Sequence, residues 1–298
     1  MEKKFYVGFD SQNIALRQSV SGDSTCILLL AHDLAEHSGR YGALAEKLNR
    51  EGIGFVGVDL RAHGDSISGK RGEADSAVFT KTAEDIAGIS DYCREKHSLP
   101  VVRLGVGYGA LAVLQSGQLG KTDGMILSGL PHIGAAESML FQMYLSYFTG
   151  EFDSKFPNIV NERYFDGFDR EFKGKYGFLT DDPGVSREYE DDASSGFELS
   201  AGFWYSYYSG AAQVLGIHSL EKIGADTPVL IINGSQDVVG GRGKAAAKLC
   251  KKLKKCGFYD LNAVTVNTRH DIFHCKESYK AEQAVTAFCR KVATKRAD

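Results

Sequence analysis

This chain of 298 residues has no large excess of charge of either sign: 35 Lys and Arg stand against 38 Asp and Glu, a formal net charge of −3. That balance excludes the basic footprint of a nucleic-acid-binding surface. The paired lysines Lys251-Lys252 and Lys254-Lys255 do not change this. They share a helical pattern with Ala246, Leu249 and Leu253 and read as its solvated face. No run approaches the roughly 18 apolar residues that a membrane span needs. The N-terminal Met1-Glu2-Lys3-Lys4-Phe5 leads into polar sequence with no apolar segment of a secretory signal. The six cysteines, Cys26, Cys93, Cys250, Cys256, Cys275 and Cys289, include no C-x-x-C pair. Reduced thiols in a cytoplasmic protein are therefore expected in preference to a disulfide framework or a metal site. No organic cofactor is implied either.

Composition is otherwise that of a globular protein, with 43% apolar and 24% charged residues. The apolar segments alternate between two kinds. Cys26–Ala31 (CILLLA), Gly54–Asp59, Val101–Gly105, Gly124–Ser128, Val229–Asn233 and Asn262–Val266 read as strands, several of them apolar throughout, as strands buried on both faces are. Tyr41–Arg50, Lys81–Lys96, Tyr108–Gln118, Arg242–Lys255 and Tyr279–Val292 read as helices. Strand and helix in alternation predict an α/β fold, a doubly wound and mostly parallel sheet with helices on both faces. The stretch 133–215 breaks the rhythm. It is rich in aromatics, among them Phe141, Tyr144, Tyr147, Phe148, Phe203, Trp204, Tyr205, Tyr207 and Tyr208, and carries the acidic run Glu188–Asp192. It is expected to be an inserted helical cap (lid), with 1–132 and 216–298 forming the core. Most of these aromatics are expected to pack the cap onto the sheet and a few to face a cavity.

Ligands of such sheets bind beyond the carboxyl ends of the strands, and the distinctive segments fall there. The first apolar strand is followed by Ala31-His32-Asp33-Leu34-Ala35-Glu36-His37-Ser38-Gly39-Arg40-Tyr41, and the second by Asp59-Leu60-Arg61-Ala62-His63-Gly64-Asp65-Ser66. After the third comes Gly105-Val106-Gly107-Tyr108-Gly109, which has the spacing of a nucleophile elbow, Gly-x-Ser-x-Gly, with glycine in place of the serine. Gly234-Ser235-Gln236-Asp237 and Arg269-His270-Asp271 follow the last two strands.

Together these blocks resemble the α/β-hydrolases of the monoacylglycerol lipase and lysophospholipase type, grouped with the serine aminopeptidases S33. That family's pattern runs HG-x-x-EHSGRY, D-x-RGHG-x-S, GHS-x-G, an Asp and an RHE-like His. Every block is found in order, and Gly196-Phe197 through Gly202-Phe203-Trp204 extends the likeness into the cap. The resemblance implies hydrolysis of a carboxylic ester, such as a monoacylglycerol or lysophospholipid. It implies Asp237 as triad acid, His270 as triad base, and the backbone N–H groups of Leu34 and Tyr108 as oxyanion donors. The partner it implies is a small molecule, an acyl ester or lipid-like ligand. No protein partner can be read.

The departures cluster at one place. Gly107 carries no hydroxyl, so no acyl-enzyme can form there. Val106 stands where the family has His, Asp33 where it has Gly after His32, and Ala62 replaces the first Gly of RGHG. A carboxylate beside a developing oxyanion opposes its stabilisation. A clustered set of changes reads as divergence rather than as one engineered substitution. Ser66, Ser128 and Cys275 are poor replacement nucleophiles. The expectation is a catalytically impaired hydrolase homologue. The alternatives are a weak hydrolase, with His270 and Asp237 activating a water in the space beside Gly107, and a non-catalytic ligand- or protein-binding module.

Overall fold

The computed structural model describes residues 1–148, 159–172 and 174–297, the side chains of 296 and 297 excepted. The apolar runs form its centre. Strands β3 (Cys26–Ala31), β4 (Ile53–Val58), β5 (Val101–Val106) and β6 (Gly124–Ser128) are buried at every residue. They lie inside a sheet that also contains β1 (Glu2–Val7), β2 (Asn13–Ser19), β7 (Val229–Gly234) and β8 (Leu261–Val266), in the order β1-β2-β4-β3-β5-β6-β7-β8. From β4 to β8 all pairings are parallel, while β1–β2 and β2–β4 are antiparallel.

Alternation along each strand sends side chains to two cores. On one face of β3, Ile27 and Leu29 share a core with residues of α2 (Val78–His97), α3 (Tyr108–Leu119) and α9 (Lys244–Lys255). The other puts Cys26, Leu28 and Leu30 against α1 (Gly42–Arg50) and α10 (Ser278–Ala297). This two-sided cover is why the central strands are apolar throughout. The lysine-rich face of α9 is solvated apart from Lys252, whose ammonium donates to the Leu215 carbonyl.

The N-terminal hairpin of β1 and β2 has no counterpart among the elements expected from sequence. An edge hairpin needs few buried residues, and here only Ile14, Ala15 and Leu16 are deeply buried while Phe5 and Val7 face solvent. The residues therefore read as polar loop even though the backbone pairs over the full length of β1.

Between β6 and β7, which pair directly, the chain leaves the sheet through α4 (Ala135–Leu145), α5 (Ile159–Asp169), α6 (Pro183–Asp191), α7 (Ala201–Val214) and the short α8 (Ile217–Leu220). Helix α7 starts at Ser200, whose hydroxyl caps the Phe203 N–H, and buries Phe203, Trp204 and Tyr207. Most of the aromatics in this insert pack on one another, Trp204 against Tyr164, Phe203 and Tyr207, whereas Tyr147 is largely exposed.

Candidate active site

The carboxyl ends of β3, β5, β7 and β8 converge on one cluster. The turn from β5 into α3 is tight because its flanking residues have no side chain: a Cβ on Gly105 would meet the Gly109 carbonyl at 2.3 Å, and one on Gly109 would meet the Ala31 carbonyl at 2.1 Å. At its tip Gly107 has φ +52 and ψ −112, in the left-handed half of the map that glycine tolerates. The backbone of an elbow is thus retained although the side chain is gone.

The place of that side chain is occupied. A Cβ built on Gly107 would lie 1.9 Å from Oδ1 and 2.1 Å from Cγ of Asp33. The Asp33 carboxylate reaches in from the end of β3. Its Oδ1 accepts the Tyr108 N–H at 2.7 Å, and its Oδ2 lies 2.9 Å from His270 Nε2. The other ring nitrogen, Nδ1, lies 3.0 Å from Asp237 Oδ1, which also accepts the Gly240 N–H at 2.9 Å. The expected space for a water beside Gly107 is therefore filled, because removing one side chain was matched by adding a longer one across from it. Of the two backbone groups expected as oxyanion donors, that of Tyr108 is bound to Asp33, while the Leu34 N–H makes no hydrogen bond to the described residues.

His270 is fully buried with a carboxylate on each ring nitrogen. Burial alone would depress its pKa, but the charges of Asp237 and Asp33, with the hydrogen bonds they accept, raise it well above the ordinary histidine value. With both nitrogens donating, the ring is an imidazolium shared between two anions.

A second buried network joins the loops that carry Asp33 and His270. The Asp33 N–H and the Tyr41 hydroxyl both donate to Glu36 Oε1, at 2.8 Å each. Arg40 pairs with Glu36 Oε2 and, at 2.9 Å, with Asp271 Oδ2. Asp271 Oδ1 lies 2.7 Å from His274 Nδ1. Burial would raise the Asp271 carboxyl, but His274 and Arg40 hold it well below the usual carboxylate range. The insert joins in, since the His270 and Asp271 N–H groups donate to the carbonyls of Phe178 and Leu179. Removing the Tyr41 hydroxyl loses a hydrogen bond to a buried charge. Tyr41→Phe is expected to lower stability by roughly 1.5–3 kcal/mol, read by urea unfolding. A change within error would show that Glu36 is held without it.

His32 and His63 are neutral supports. His32 Nε2 accepts the Leu60 N–H at 3.0 Å and its Nδ1 donates to the Asp33 carbonyl at 2.7 Å, tying β3 to the loop after β4. Burial, aided by the neighbouring His32, pushes His63 down to about 3. Ala62 takes φ +67, so the position that the family gives to glycine keeps its left-handed backbone with a methyl group. Val106 belongs to the apolar core. Ser66 is used by the fold, its Oγ accepting the Ala15 N–H at 2.8 Å. Ser128 takes the Gly107 N–H on its carbonyl at 2.9 Å, and its buried hydroxyl has no partner among the described residues. Burial pushes the Cys275 thiol up to about 12, which leaves it without thiolate character.

A cavity of about 760 Å³ is lined largely by the insert, with the aromatic Phe141, Tyr164 and Tyr207 and the charged Glu162, Arg163 and Arg170 in its wall. Tyr164 and Tyr207 are buried, and the negative charge of Asp33 adds to burial in raising both phenols well above their ordinary value. Sequence reasoning had no signal for their placement, because burial within the field of Asp33 is a property of how α5 and α7 pack.

A family model, serine aminopeptidase S33, matches residues 22–275, which contain Asp33, Gly107, Asp237 and His270. The chain belongs to that family. A monoacylglycerol lipase of Mycolicibacterium smegmatis is 32% identical over 120 residues, and the match spans 39% of this chain and 41% of that relative. Solved structures share the fold over nearly the whole length. A carboxyl esterase from Bacillus coagulans in complex with glycerol has a TM-score of 0.83 at 18% identity, with 98% of each chain covered. A soluble variant of monoglyceride lipase from Saccharomyces cerevisiae, in complex with a substrate analog, has a TM-score of 0.75 at 18% identity, covering 98% of this chain and 95% of that one. The S33 chain is thus an α/β-hydrolase resembling monoacylglycerol lipases and esterases. Among its described residues no helix is long and apolar enough to cross a membrane.

Proposed function

We propose that this S33 family member has lost carboxylic ester hydrolysis and keeps a site for a small acyl-ester or lipid-like molecule. One observation carries the reading: the Asp33 carboxylate stands in the space of the nucleophile's side chain, on the Tyr108 N–H and on His270. An ester carbonyl entering the elbow would meet an anion where a hydroxyl should attack, and its developing oxyanion would compete with Asp33 for the Tyr108 N–H. A water-based route through His270 fares no better, since an imidazolium held by two carboxylates has no lone pair with which to take a proton. In this reading 133–215 acts as a cap over the cavity of about 760 Å³, with 149–158 and 173 of that range outside the described residues. The six cysteines, all free, support a reducing, cytoplasmic setting.

The test is hydrolysis of short and long acyl esters and of monoacylglycerols by the full chain, beside Asp237→Asn. The expected result is no turnover above buffer in either protein. Turnover by the native chain that Asp237→Asn abolishes would overturn the reading.

A further inference from the structure

One lysine of the basic helix α9 does not face water. Lys252 is half-buried against the insert, and its ammonium donates to the Leu215 carbonyl just beyond α7. An ammonium has three protons to donate. Among the described residues no other acceptor, and no carboxylate, takes the remaining ones. Lys248, one turn earlier on the same helix, places a second positive charge beside it and likewise has no acidic partner among the described residues. Burial and that neighbouring charge both lower the Lys252 pKa. Two like charges a turn apart, one of them partly desolvated, are a cost that an anion between them would remove.

Both lysines border an apolar slot of about 150 Å³ where the insert meets the core. Its walls are Leu130 and Ile133 after β6, Ala211 and Leu215 from α7 and its end, and Ala245 and Leu249 on α9. No carboxylate among the described residues lines it. Of its other polar side chains, His132 and Ser138, the second already donates its hydroxyl to the Tyr208 carbonyl at 3.0 Å. The larger cavity is different in kind, since its wall mixes Glu162 and Asp166 with Arg163 and Arg170, and the two share only the segment 131–133.

We infer that the slot binds a short aliphatic monocarboxylate, its chain between the alanines and leucines of the wall and its head on Lys252 and Lys248. Size and charge together select that class. An apolar cavity of about 150 Å³ holds a molecule of about six carbons, which makes hexanoate a fitting length. Each methylene taken out of water strengthens binding about fourfold, so the chain supplies most of the affinity. The carboxylate meets an ammonium already fixed by the Leu215 carbonyl, and a charge-assisted bond in a partly dry site is strong. A neutral head would leave the lysines unpaired, and an amine would be repelled. The site uses none of Asp33, Gly107, Asp237 and His270, so it stands apart from the loss of ester hydrolysis. Because α7 and α9 both wall the slot, an occupant also ties the insert to the core.

The test is a ligand-observed NMR titration of the full chain with hexanoate, acetate and hexylamine. Hexanoate is expected to bind with a dissociation constant of roughly 0.1–1 mM, and to raise the melting temperature by mass action. Acetate, four methylenes shorter, binds on the order of 10²-fold more weakly, and hexylamine does not bind. Lys252→Met keeps most of the stem, loses the charge and weakens hexanoate by at least about 10-fold. Lys248→Gln, on the exposed surface, weakens it by a few-fold. Ala212 is an exposed residue of α7 at the mouth of the slot. Ala212→Phe plugs that mouth, abolishes binding and melts with the native chain when no ligand is present. It therefore answers the question even if Lys252→Met loosens the insert. Acetate binding as tightly as hexanoate would mean that the lysines merely attract anions, and would overturn the proposal. Hexylamine binding as tightly as hexanoate would overturn it too, since the lysines would then play no part. So would hexanoate binding that survives both Lys252→Met and Ala212→Phe, or no binding at all at 10-fold above the expected constant.

Discussion

Gly107→Ser alone stays silent toward acyl esters, and Gly107→Ser combined with Asp33→Gly gains at least about 10³-fold over it, the order of rate that a working nucleophile adds to a site already equipped for binding. The single change puts a Cβ 1.9 Å from Asp33 Oδ1, far inside contact distance, at a residue with φ +52. The left-handed backbone costs a non-glycine residue about 1–3 kcal/mol, and the carboxylate must swing off the Tyr108 N–H before the hydroxyl has room. The second change removes the obstacle and does three things together. It frees the Tyr108 N–H for an oxyanion, gives His270 Nε2 the new hydroxyl in place of an anion, and leaves Asp237 as the ring's one carboxylate partner. Initial rates with p-nitrophenyl acetate and a monoacylglycerol, on proteins checked for folding by circular dichroism, decide the matter. An active single variant would mean that Asp33 moves aside readily. A folded but inert double variant would place a further defect at Val106 or Ala62.

His270→Ala unfolds more readily than the native chain by about 3–5 kcal/mol at neutral pH, the usual cost of taking one partner from a buried ion pair. Here the cation removed is shared, and Asp33 and Asp237 are left facing each other in a buried site. The pH dependence has a definite sign. The folded pKa of His270 is raised above its unfolded value, so the stability it contributes is fully present below about pH 6.5 and fades as pH rises through the raised folded value. The native protein is therefore expected to lose melting temperature on the alkaline side. His270→Ala lacks that loss and instead gains stability on acidification, as its unpaired carboxylates take up protons. Adding Asp33→Ala to His270→Ala recovers part of the deficit, because one orphaned charge goes with it. Melting curves from mildly acidic to alkaline pH test all three statements. A His270→Ala protein that melts with the native chain throughout would show that the three groups are not an ion cluster.

Much of this was legible in the residues. CILLLA at 26–31 reads as a strand covered on both faces, and it is part of the buried centre of the sheet, because burial on both sides leaves no position for a polar residue. The ends of β3, β5, β7 and β8 carry the motif blocks in order, so Asp33, Gly107, Asp237 and His270 could be named before any coordinates. The strands β1 and β2 escaped notice because an edge hairpin leaves most side chains in water, and periodicity reports burial rather than backbone pairing.

The sequence by itself determined the family, the alternation of strand and helix that makes a mostly parallel sheet, and the missing hydroxyl, since each is written in local spacing along the chain. Only the tertiary structure decided what that loss means. Asp33 and Gly107 are 74 positions apart in the chain, and nothing local to either says that the carboxylate of one fills the space beside the other. That relation exists because parallel pairing of β3 and β5 ends both strands at the same level, and two side chains cannot occupy one volume. The charge of His270 follows in the same way, from which two anions the fold sets on its two nitrogens.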